Sequence, residues 1–197
     1  MNKIIGLFLL VLGAPSFAQS VVKADLVNAT PAISRDDGGI NSCGINFMLG
    51  AMAGDDKATV FDFSLNVYSD GYGLVKAGSQ TMRHSKSKGW DFDSKSARMP
   101  GPKLVWLAKR DDTVSVRPEK YLNAENKGYV IAPVGFVEAS QLLFSTVDAD
   151  PLQVSIQYEM DRIHRVMGFK ADMSKDDQEA VLACITGLTK RMRSELQ

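Results

Sequence analysis

The chain holds two cysteines, Cys43 and Cys184, one near each end, behind a first stretch that reads as a secretion signal. Met1-Asn2-Lys3 is a short positive region, Ile4 to Gly13 is apolar, and Ser16-Phe17-Ala18 sets small residues at the two positions a signal peptidase reads. Cleavage after Ala18 leaves a chain in an oxidising compartment, where two thiols far apart in sequence pair as one structural disulfide. That pairing is a strong constraint, because whatever forms around Cys43 must lie against whatever forms around Cys184. A membrane anchor is disfavoured, since a span needs about 20 apolar residues and Gly13, Pro15 and Ser16 interrupt this run. No later segment is long and apolar enough to cross a bilayer. The expected location is the periplasm or the exterior.

The segment from Gln19 to Asn41 contains Asn28, Pro31, Ser34 and the turn-rich run Arg35-Asp36-Asp37-Gly38-Gly39 without a sustained period, and is read as an extended or disordered lead-in. A single β-rich domain follows over 42–197. Cys43, Ile45, Phe47 and Leu49 alternate with small or polar residues. Phe61, Phe63, Leu65 and Val67 alternate with Asp62, Ser64, Asn66 and Tyr68. Asp70-Gly71 is a hairpin signal into Leu74 to Thr81, so three strands in a meander are expected. Further strand patterns lie at Leu104 to Ala108, Thr113 to Val116, Gly128 to Ala132, Leu152 to Tyr158 and Ile163 to Phe169.

Two segments carry helical spacing. Phe136, Ala139, Ser140, Leu143 and Val147 recur on one helical face before Asp150-Pro151, which stops the element. Near the C-terminus, Ser174 and Asp177 resemble a capping box ahead of a stripe formed by Val181, Cys184, Ile185, Leu188 and Met192. The helix 174–195 therefore buries Cys184. The fold class expected is α+β, mainly β: an antiparallel sheet or small β-sandwich with a short internal helix and a C-terminal amphipathic helix packed on it.

The strand, short helix, strand order from Gly128 to Tyr158, behind a signal peptide and a meander, resembles exported invasion-associated proteins of the locus B type. This resemblance spans about a third of the chain and shares no motif, so no activity or site residue follows from it.

Chemistry-bearing patterns are sparse. The charge balance of 23 basic and 23 acidic residues gives no overall field suited to nucleic acid. A redox pair would place its thiols close together, as in Cys-x-x-Cys. His84 and His164 lie in different segments, and the Asp-x-Asp pairs at Asp91 and Asp148 lack the glycine and glutamate of a calcium loop, so no metal and no cofactor is expected. Asp161 and His164 fall on opposite faces of a strand, and no nucleophile elbow or phosphate loop is present.

The place to look for function is Arg83 to Lys103. There Arg83, Lys86, Lys88 and Arg98, with His84, Lys95 and Lys103, surround Trp90 and Phe92, opposed by Asp91 and Asp93. A long basic connection with aromatic rings suits contact with an acidic partner surface. The expectation is an exported non-enzymatic protein-binding module of the bacterial envelope, acting as an inhibitor or immunity protein or as an accessory of a secretion machine, with another envelope or secreted protein as partner. The alternatives are a cell-wall-directed hydrolase using dispersed carboxylates and a carrier of a small ligand in a β cavity.

Overall fold

The computed structural model describes residues 21–52, 56–87, 89–92, 101–158 and 165–195, so the signal-like segment 1–18 lies outside the described residues. Alternation in the sequence becomes four long strands, β2 (Leu26–Asp36), β3 (Gly39–Met52), β4 (Lys57–Tyr68) and β5 (Tyr72–Ser85), preceded by the short β1 (Val21–Lys23) and followed by the short β6 (Gly89–Phe92). Shorter strands follow as β7 (Leu104–Lys109), β8 (Ser115–Val116), β9 (Leu122–Asn123) and β10 (Tyr129–Gly135). Then come helix α1 (Phe136–Val147), strands β11 (Leu152–Gln157) and β12 (Arg165–Phe169), and helix α2 (Lys175–Glu195).

The larger sheet has the order β2-β3-β4-β5-β10-β9, with β6 paired to β5 beside the end of β10. Its first four strands are the expected meander extended by one strand at the N-terminal side. The smaller sheet runs β1-β12-β11-β7-β8 and is antiparallel except for β1, which lies parallel to β12. The class is α+β, mainly β.

The stretch read as a lead-in is built into both sheets, because β1 and β2 already occupy it. Its apparent lack of pattern has a local cause. β2 pairs only with β3, and of its inward residues Ala29 alone is fully buried, so the alternation is faint. Pro31, which has no N–H for a ladder, is tolerated there because the strand is an edge. The Arg35 to Gly39 run is the β2–β3 turn: Gly38 N–H donates to Asp36 Oδ1 at 2.8 Å, and Gly39 has φ +110°.

The inward faces of the sheets meet through aromatic rings. Phe47 on β3 stacks on Phe63 of β4 at 4.6 Å between centroids, and Phe169 of β12 meets both edge-on at 5.7 and 6.1 Å. Phe47 and Phe63 are at most 2% exposed, and Ile45, Leu49, Leu65, Leu152 and Val154 are fully buried around them. Such ring pairs add about 0.5–1.5 kcal/mol beyond the area they bury.

Helix α1 buries Ala139, Leu142 and Leu143 against β4, β5 and β10. Its C-terminus is a Schellman motif in which Asp150 N–H donates to Ser145 O at 2.9 Å and Ala149 N–H to Thr146 O at 3.1 Å. The left-handed residue this closure needs is Ala149 at φ +55°, where glycine is the usual occupant.

Helix α2 lies across the β2–β3 hairpin. Ser174 Oγ accepts the N–H of Asp177 at 3.1 Å, the expected hydroxyl half of a capping box, and donates to Asp177 Oδ2 at 2.8 Å, so the carboxylate takes the hydroxyl proton in place of a backbone amide. Val181, Cys184, Ile185 and Leu188 are buried. Gly187 lets the helix close on Ile40, whose Cδ1 would be 2.4 Å from a Cβ at that position. The Cys43–Cys184 disulfide joins β3 to the helix with a Cα–Cα distance of 5.7 Å, and Arg191 pairs with Asp36 at 2.7 Å one turn beyond Gly187.

Two outcomes test these readings. Replacing Cys43 and Cys184 together by serine lowers the unfolding free energy by about 2–5 kcal/mol in urea titrations. Ala149→Gly raises it by about 1 kcal/mol, because the substitution relieves a left-handed alanine inside an intact hydrogen-bonded cap.

Candidate functional site

The basic stretch singled out in the sequence is less of a loop than expected. β5 continues to Ser85, so Arg83 and His84 belong to a strand, and β6 returns against it with Arg83 opposite Asp91 and His84 opposite Trp90. The change follows from backbone hydrogen bonding: β10 stops against Gly78, leaving the same edge of β5 open further along, and β6 fills it. Gly89, at φ +68°, gives the hairpin its reversal.

Arg83, His84, Ser85, Lys86 and Ser87 are exposed on this hairpin. On the other edge of β5, Lys57 of β4 stands opposite Arg83, so two cations share one rung of the sheet with Asp91 as the acid across from them. Of the remaining expected contact residues, Trp90 and Phe92 are placed in β6 by backbone register. Lys88 and Arg98 lie outside the described residues, as do Lys95, Asp93, Asp161 and His164.

At the root of this hairpin, on the outer face of the larger sheet, the structure assembles a network that the sequence did not reveal. Tyr129 of β10 sits opposite Gly78 of β5, and its ring occupies the space a Cβ would take, which would fall 2.7 Å from the ring. Its hydroxyl donates to Asp62 Oδ2 on β4 at 2.8 Å and accepts from Gln80 Nε2 on β5 at 2.9 Å. Lys76 Nζ lies 5.3 Å from the ring centroid, within cation–π range. Behind this layer, Ser79 on the inner face hydrogen-bonds the hydroxyl of Tyr158, linking the larger sheet to the end of β11.

Burial first, and then the hydrogen bond and charge of Asp62, push the ionisation of Tyr129 up to about 12. At neutral pH it is therefore a proton-bearing donor and not a base. Its chemistry is cross-strand bracing: one phenol ties three strands immediately before β5 enters the hairpin.

Among the described residues no helix is long and apolar enough to cross a membrane, and no group of three His, Cys, Asp or Glu is gathered as a metal site. Asp150, the second acid of the Asp-x-Asp pair at Asp148, pairs with Lys109 at 2.8 Å, and that pairing holds its carboxyl below the usual range.

The fold and hairpin together define a disulfide-clamped, two-sheet β protein with a cationic arm. No protein-family model matches the chain, and no curated protein or solved structure does so significantly.

The raised ionisation of Tyr129 has a pH signature. Between its ordinary value of 10.0 and about 12, the unfolded chain has released this proton while the folded protein retains it. The contribution is complete below the lower value and disappears as pH rises through the upper one. Urea titrations of the native protein from neutral to high pH should show this decline, and Tyr129→Phe should flatten it while also removing one high-pH phenolate from the ultraviolet titration.

Proposed function

We propose that the protein is an exported, non-catalytic protein-binding module of the bacterial envelope, either an inhibitor or immunity protein or an accessory of a secretion machine, and that it holds its partner with the β5–β6 hairpin. The observation that carries this reading is the braced cationic arm. Arg83, His84 and Lys86 are exposed on a hairpin whose root is fixed by Tyr129, Asp62 and Gln80.

A rigid arm loses little conformational entropy on docking, and clustered cations speed encounter with an acidic surface. The sequence adds Lys88, Lys95 and Arg98 to the same stretch, against Asp93. Export is supported by the signal-like first residues and by the disulfide, since such bonds persist in oxidising compartments.

The test is affinity capture from the periplasm followed by rebinding of the identified, purified partner. The expected result is a one-to-one complex with an acidic surface, whose association slows with added salt. Arg83→Glu combined with Lys86→Glu should weaken it by about tenfold or more through slower association. Equal affinity for the double variant, with disulfide and unfolding midpoint intact, would remove the hairpin from the interface.

A further inference from the structure

A second feature lies at the corner where the chain leaves β1 and enters β2. The backbone crosses from one sheet to the other within two residues: Ala24 N–H donates to Gly168 O at 3.1 Å, and Asp25 N–H to Gly50 O at 2.9 Å. Beside this fixed corner is an open cleft of about 590 Å³. That volume falls in the range of small-molecule sites, about 300–1,000 Å³.

Three cations line the cleft, Lys23 from β1, Arg110 from the end of β7 and Lys170 from the end of β12. Its apolar wall is supplied by Val27, Pro151 and Phe169. Among the described residues no acid is part of the lining. Four of the acids nearest in sequence are engaged elsewhere: Asp25 accepts from Met52 N–H at 2.9 Å, Asp111 from the hydroxyl of Thr113 at 2.8 Å, Asp112 pairs with Arg117 at 2.9 Å and Asp150 with Lys109 at 2.8 Å, while Asp172, two residues beyond Lys170, is exposed and does not line the cleft.

We infer that this cleft binds a small anionic amphiphile, with a carboxylate or phosphate head held by Lys23, Arg110 and Lys170 and an apolar body laid along Val27, Pro151 and Phe169. Three like charges around one concavity repel one another, and an anion placed among them turns that repulsion into attraction. The apolar wall sets the preference for an amphiphile over an inorganic ion, because an ion alone leaves that surface wet. The cations set the preference over a neutral lipid. The cleft involves none of the hairpin residues, so the inference stands apart from the protein-binding reading.

The experiment is calorimetric titration of the protein purified from the periplasm with four probes: decanoate, decyl phosphate, decanol and inorganic phosphate. Saturable one-site binding of decanoate or decyl phosphate is expected, the stronger of the two identifying the head group. Decanol and inorganic phosphate should bind about tenfold more weakly or not at all. Lys23→Gln combined with Lys170→Gln should weaken the preferred probe by about tenfold, and Arg110→Gln, at an exposed turn, gives an independent reading if the double variant is poorly folded. Val27→Ser should weaken the amphiphile and leave inorganic phosphate unchanged. Absence of saturable binding, equal binding of decanol, equal binding of inorganic phosphate, or affinity indifferent to the charge variants would each overturn the inference.

Discussion

Helix α2 holds the edge of the larger sheet in place, and it does so through three contacts of different kind along one face. Cys184 is bonded to Cys43 in the middle of β3, Gly187 admits Ile40, and Arg191 reaches Asp36 at the β2–β3 turn. The covalent contact fixes position, the glycine fixes depth and the ion pair fixes rotation about the helix axis. Without that cover the inner face of β2 and β3 would lie open at its disulfide end. The apolar stripe of the helix would lose its counterpart as well, which is why burial in this part of the molecule is shared between sheet and helix.

Strong periodicity made most elements legible before any coordinates. Phe61 to Tyr68 announces β4 because one face is wholly apolar, and Pro151 announces the end of α1 because proline cannot extend a helix. What escaped has physical reasons. β2 is an edge strand whose buried side chains are few and small, so its alternation has little amplitude, and the charges around Asp36 read as a loop because they are the turn of a hairpin. β6 finds its place because β10 begins only at Tyr129, opposite Gly78, and leaves the rest of that edge of β5 to it, a fact of register that no local pattern encodes. The capping role of Ala149 was hidden for the opposite reason, since the local sequence names the wrong residue for a left-handed cap.

The candidate site was legible in part. A basic stretch with aromatic residues was visible, yet its conversion into a strand pair was not. The Tyr129 network was invisible, because Asp62, Gly78, Gln80 and Tyr129 come from three strands and meet only once β10 is set against β5. Charge pattern along a chain can mark where contacts are made; it cannot show what stiffens the scaffold beneath them. Here the stiffening comes from a phenol that stays protonated through neutral pH.

The parallel pairing of β1 with β12 has a consequence in time. The first described strand finds its partner in the last, and Cys43 finds its own in the final helix. Both sheets therefore depend on segments far apart in sequence, an arrangement of high contact order. A chain emerging N-terminus first can form the β3–β4–β5 meander early, but closure waits for β12 and α2. Native structure is thereby postponed until β12 and α2 have emerged, and during that interval the edge of β2 relies on Pro31 to discourage strand-to-strand association with other chains.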